Sequence, residues 1–81
     1  MSADRVDVVR AAVAKVMDLP LDVLIGSTPL DDLGVDSIAR IVMVDVILEK
    51  EPNWQIPAVI IKHARTIAEF ADGVIVGESN G

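Results

Sequence analysis

The residues of this chain best suited to chemistry lie near its middle, where Leu33-Gly34-Val35-Asp36-Ser37-Ile38 runs straight into the apolar stretch Ile41-Val42-Met43-Val44. An aspartate just ahead of an apolar, helix-forming run is an N-cap pattern, so a helix is predicted to begin at Ser37 with Asp36 as its cap. Ser37 then sits beside unsatisfied backbone N–H groups and the positive end of the macrodipole, a place that tolerates a phosphate on the hydroxyl. A hydrolytic role is poorly supported: the only histidine, His63, is remote in sequence, and no glycine-rich elbow surrounds the serine. Taken alone, an Asp-Ser pair at a helix start is most often only a cap.

Other chemistry-bearing groups weaken when their spacing is tested. Asp31, Asp32 and Asp36 suggest a cation, but they lack the alternate-residue spacing and closing glutamate of a calcium loop, so no metal site is expected. His63 reads as a favourable charge at a helix C-terminus, not as a base. Trp54, between Pro52 and Pro57, reads as a loop anchor packed on the core in preference to a substrate platform.

Four helices are expected to position Ser37, at about 4–17, 37–51, 57–62 and 66–76. In the first, Val6, Val9, Val13 and Val16 recur at helical spacing, and Pro20 is read as its stop. A long connection follows, with Leu19, Leu21, Leu24, Ile25 and Leu30 available to pin it down. The second helix ends before Pro52. Pro57 suits the first turn of a short third helix. Thr66-Ile67-Ala68-Glu69 is a capping box for the fourth, whose apolar side is read as Ile67, Phe70, Ala71, Val74 and Ile75. Residues 77–81 have nothing to bury and are expected to fray. The fold class expected is therefore all-α: a small four-helix bundle with a long first loop and a short third helix, spanning 1–76.

Composition narrows the function. A chain of 81 residues fits one domain with little room for a catalytic pocket, which favours binding or carrying over catalysis. No set of acid, base and nucleophile can be assembled. Without cysteine there is neither a disulfide framework nor a thiol nucleophile, and one histidine cannot build a histidine metal site. A formal charge of −6, with no Lys or Arg between Lys15 and Arg40, argues against nucleic acid. The acidic stretch fits either steering of a basic partner or a solvated loop. No secretory leader or membrane-length apolar run is visible, so a cytoplasmic protein is the simplest expectation.

The second helix carries apolar residues around much of its circumference. It is either the central helix, surrounded by the other three, or it exposes an apolar strip for a partner.

The string Leu33-Gly34-Val35-Asp36-Ser37-Ile38, preceded by Leu30-Asp31-Asp32 and opening the second of four helices, resembles the acyl and peptidyl carrier proteins. The likeness extends over nearly the whole chain, through the Val-rich first helix, the long loop, Ile56-Pro57 and the Thr66-Ile67 entry to the fourth helix. It implies an acyl-carrier-type bundle in which a phosphopantetheinyl transferase moves 4′-phosphopantetheine from coenzyme A onto Ser37. The terminal thiol of that arm carries cargo as a thioester, so the working sulfur belongs to the prosthetic group and partner enzymes do the chemistry. It further implies that Asp36 positions Ser37, that Gly34 permits the turn, and that Leu33 and Ile38 anchor the turn against the bundle.

This chain departs from the strongly acidic second helix of fatty-acid carriers: Ala39, Arg40 and Val42 follow the serine, with Asp45, Glu49 and Glu51 further along. The expected docking surface is an apolar, mixed-charge patch of Ile38, Ala39, Arg40, Val42 and Met43, with Asp45, Glu49, Asp31 and Asp32 as its acidic surround. Expected partners beyond the transferase are an acyltransferase, an adenylating or ligase enzyme, or a ketosynthase, acting on a monomer. A freestanding carrier of polyketide or mixed polyketide and nonribosomal peptide biosynthesis is favoured. Ile38 after the serine leaves a peptidyl carrier open, and an unmodified helical interaction module is the rival of another class.

Overall fold

The computed structural model describes residues 4–77. Four α-helices run in chain order: α1, Arg5–Met17; α2, Ser37–Lys50; α3, Ala58–His63; and α4, Ile67–Gly73. Two 3-10 turns, Leu21–Val23 and Asp31–Leu33, punctuate the long connection between α1 and α2. Among the described residues there is no strand, and no helix is long and apolar enough to cross a membrane.

Three of the four helices start with a side-chain cap. Asp4 accepts from the Val6 N–H, Asp36 from the Ala39 N–H and Thr66 from the Glu69 N–H, each satisfying a donor that the first helical turn leaves orphaned. Pro57 precedes α3 instead, with no side-chain cap of its own. Of the predicted capping box at Thr66, the hydroxyl half forms at 3.1 Å.

α1 ends at Met17 as expected, but the stop is not Pro20: Asp18 enters the left-handed region at φ 54°, and the N–H groups of Asp18 and Leu19 both return to the Ala14 carbonyl. The fourth helix, expected to reach residue 76, ends at Gly73. There the chain turns extended, and Gln55 and Ile75 exchange backbone hydrogen bonds at 2.8 Å each way, with Gly77 donating to the Asn53 carbonyl at 3.1 Å. A backbone partner supplied by the α2–α3 connection thus replaces the last helical turn. It also ties down Gly77, the first residue of the expected frayed tail; 78–81 lie outside the described residues. Gly73 itself is needed for close packing, because a Cβ there would run into the Ile60 side chain of α3.

The core is largely aliphatic, joined by one phenylalanine and one tryptophan. Val9 and Val13 of α1, Met43 and Ile47 of α2, Ile67 and Phe70 of α4, and Leu24 and Leu30 of the long loop are fully buried. The α1 stripe centres on Val8, Val9, Ala12 and Val13, while Val6 and Val16 lie at its margin. Trp54 is 5% exposed and belongs to the same cluster, so it anchors the α2–α3 connection. The long loop is ordered by Leu24 and Leu30, together with Leu30 N–H donating to the Arg65 carbonyl at 2.8 Å. Leu21 and Ile25, expected to help pin it, are exposed instead.

Candidate functional site

The approach to Ser37 is built by backbone geometry. The Asp31–Leu33 turn is closed by Gly34 in the left-handed region at φ 79°, ψ 19°, with its N–H returned to the Asp31 carbonyl at 3.1 Å. An L-residue pays roughly 1–2 kcal/mol for that conformation, which is why glycine stands there; the space itself is not the constraint, since the nearest atom to an added Cβ is Met17 Cε at 3.6 Å. Val35 then turns inward, 2% exposed, and its N–H meets the Leu30 carbonyl at 3.1 Å. Leu33, partly buried, packs against the core cluster. The turn is therefore anchored by Leu30, Leu33 and Val35. Ile38, expected to help anchor it, does not: it is 73% exposed.

Asp36 is extended, at φ −89° and ψ −172°, and its Oδ1 accepts from the Ala39 N–H at 2.8 Å. Its carbonyl accepts the Arg40 N–H at 3.0 Å, the first backbone bond of α2. Ser37 is thereby held in the first position of the helix with its side chain in solvent. Beside it opens a groove of about 520 Å³ between the start of α2 and α3, lined by Ser37, Arg40, Ile41, Ala58, Ile61 and Lys62. A hydroxyl at the mouth of a mainly apolar trough can take a phosphate ester on its solvent side and leave the trough free for an attached chain.

The expected docking patch is divided by the structure. Ile38 and Val42 are exposed, Ala39 is half-buried, and Asp31, Asp32, Asp45 and Glu49 all face solvent. Met43 is not on the surface at all, being fully buried in the core. Arg40 is also corrected: it is 9% exposed, and its Nη1 donates to the Ala64 carbonyl at 2.7 Å and the Ile61 carbonyl at 3.1 Å, while Nη2 lies 3.9 Å from Asp31. The three buried residues of α2 are Arg40, Met43 and Ile47, spaced three and four apart. That spacing is the signal by which Arg40 and Met43 belong to the inward stripe. An arginine at S+3 on this stripe could have been read as a partner for the orphan carbonyls at the end of a short following helix.

Residues not singled out from sequence complete the surface. Ile41, 59% exposed, extends the apolar strip of Ile38 and Val42, and Ala58, Ile61 and Lys62 form the far wall of the groove. On the other face of α3 a second depression, of about 410 Å³, places His63 near Glu69 and Asp72. Among the described residues no cluster of three His, Cys, Asp or Glu side chains is arranged to hold a metal ion.

An all-α bundle that lifts one serine into solvent at the head of its second helix, beside an apolar groove, has the build of a carrier. A family model described as a phosphopantetheine attachment site matches residues 7–74. The chain belongs to this family, the carrier proteins, whose attachment site takes 4′-phosphopantetheine covalently. No curated protein and no solved structure gives a significant match.

Proposed function

We propose that Ser37 is the residue that carries the 4′-phosphopantetheine arm, and that the chain is an acyl carrier of polyketide or mixed polyketide and nonribosomal peptide biosynthesis. The observation that carries the assignment is the solvent-exposed Ser37 hydroxyl at the first position of α2, inside the matched segment and at the mouth of the groove. In the loading step Ser37 loses its hydroxyl proton, Oγ bonds to phosphorus, and the phosphoanhydride to the nucleotide half of coenzyme A breaks. When bound, the arm supplies a terminal thiol on which acyl groups travel as thioesters. Asp36 keeps the first turn of α2 closed around the serine, and the helix N-terminus favours the phosphodiester charge. The phosphopantetheinyl transferase and the cargo-handling enzymes act on this site from outside.

Partner recognition is assigned to the exposed strip of Ile38, Ile41 and Val42, edged by Asp45 and Glu49. A strip this apolar at the head of α2 supports dedicated partners over recognition by charge alone. Gly34 and the net charge of −6 support an acyl over a peptidyl cargo, while Ile38 after the serine supports the peptidyl alternative.

The test is intact mass after incubation with coenzyme A, Mg²⁺ and a broad-specificity transferase, with Ser37→Ala in parallel. The expected result is a single phosphopantetheine addition that S37A abolishes while its helicity is kept. An addition retained by S37A would overturn the assignment, and no addition to folded wild type would favour the unmodified interaction module.

A further inference from the structure

We infer that Arg40 is the positioning residue that holds α3 against the head of α2 and so sets how well Ser37 is presented to the enzyme that modifies it; this rests on Ser37 being the attachment residue. Four observations converge. Arg40 lies one helical turn after Ser37 and lines the same groove. Its Nη1 is shared by the Ala64 and Ile61 carbonyls, at 2.7 and 3.1 Å, which belong to the end of α3 and the residue just after it. The guanidinium charge is thus placed at the negative end of that helix, where the last carbonyls otherwise lack partners. Finally, Nη2 lies 3.9 Å from Asp31 in the turn that leads to Gly34. One side chain therefore touches the loop before Ser37, the helix after it and the opposite wall of the groove.

Apart from Ile60, which packs against the core and Gly73 of α4, α3 has little else to hold it. It is six residues long, begins without a side-chain cap and contributes no buried residue of its own. A helix of this length is far from stable by itself. The pair with Asp31 adds little, because that carboxylate is 92% exposed. The two carbonyl bonds are the directed contacts. Any enzyme that reaches the Ser37 hydroxyl meets the wall formed by Ala58, Ile61 and Lys62. If that wall is in place only part of the time, the apparent affinity for the carrier falls by the same fraction.

The test compares wild type, Arg40→Met and Arg40→Lys in two assays: steady-state phosphopantetheine transfer and amide hydrogen exchange. R40M keeps the stem but cannot donate, whereas the ammonium of R40K can reach carbonyl oxygens. The expected result for R40M is a roughly tenfold higher KM for the carrier with kcat within about twofold, the pattern of lost binding and not of lost chemistry. Exchange should rise at Ile61 and Ala64, whose N–H groups bond back to Pro57 and Ile60, while α1 keeps its protection. R40K should restore most of both. An unchanged KM in R40M, or a rise in exchange spread evenly over all helices, would overturn the inference. Should R40M not fold, Arg40→Gln is read in the same two assays. A wild-type chain that takes no arm would overturn the Ser37 reading, and the exchange data would still decide whether Arg40 holds α3.

Discussion

Asp36 and Ser37 are neighbours with separable jobs, and replacing Asp36 tests whether the cap seen in the structure is the source of its importance. The Oδ1 bond to the Ala39 N–H at 2.8 Å satisfies one orphan donor of α2, and the carboxylate faces the positive end of the helix. Asp36→Ala removes both effects. Loss of a capping side chain costs about 1 kcal/mol, and loss of a charge at an exposed helix N-terminus about 0.3–1 kcal/mol. The sum, about 1.5 kcal/mol, corresponds to a fall of roughly 6–12 °C in Tm for a domain of this size. At a urea slope of about 1 kcal/mol/M it corresponds to a midpoint lower by roughly 1.5 M. Asp36→Asn keeps an acceptor of equal capping quality and removes only the charge, so its loss should be no more than about 1 kcal/mol.

Urea unfolding followed by far-UV circular dichroism on the three proteins measures both quantities. Transfer of phosphopantetheine to the same samples then asks whether loading follows the cap. D36N should load much as wild type does and D36A more slowly, since a frayed first turn no longer fixes Ser37. Equal destabilisation by D36A and D36N would show that charge, not the hydrogen bond, is what Asp36 supplies. A D36A midpoint close to that of wild type would refute the capping argument altogether.

Two further substitutions separate core from surface. Met43→Ala should lower stability by about 2–5 kcal/mol because Met43 is fully buried, a loss that thermal or urea unfolding will read and that a surface residue would not produce. Ile41→Glu, at a residue 59% exposed on the groove edge, should leave the unfolding midpoint within about 0.5 kcal/mol of wild type yet weaken transfer of cargo from a cognate acyltransferase; unchanged transfer would remove this strip from the docking surface.

What could be read from the sequence was chiefly local chemistry. The caps at Asp36 and Thr66 depend on a side chain and a backbone donor three residues on, and both form as their residue types predict. The start of α2 and the solvent position of Ser37 follow from that. Helix ends were less legible because long-range partners decide them. Gly73 is followed by an extended segment in which Ile75 pairs with Gln55, a contact between residues twenty apart. Arg40 differs from expectation for a related reason. Its charge suggested a surface role, whereas its spacing with Met43 and Ile47 puts it on the buried stripe, and the carbonyls that compensate for burial lie in a different helix. Periodicity, not charge type, decides which face of α2 Arg40 occupies.

The same contrast explains how so small a bundle can keep a serine fixed and its surroundings adjustable. The fully buried side chains come from α1, α2, α4 and the long loop, so α2 is fixed through Met43 and Ile47 in the most strongly packed part of the molecule. α3 adds none to that set and is tied down at its C-terminal end through Arg40. Local opening requires only as much free energy as the contacts it breaks, so the α3 wall can yield at far less cost than the α2 wall. Ser37 stands on the α2 side of the groove, and Ala58, Ile61 and Lys62 form its α3 side. On the proposed reading, the serine that takes the arm is mounted on the helix with the deeper packing. The wall that faces it belongs to the helix with the least core.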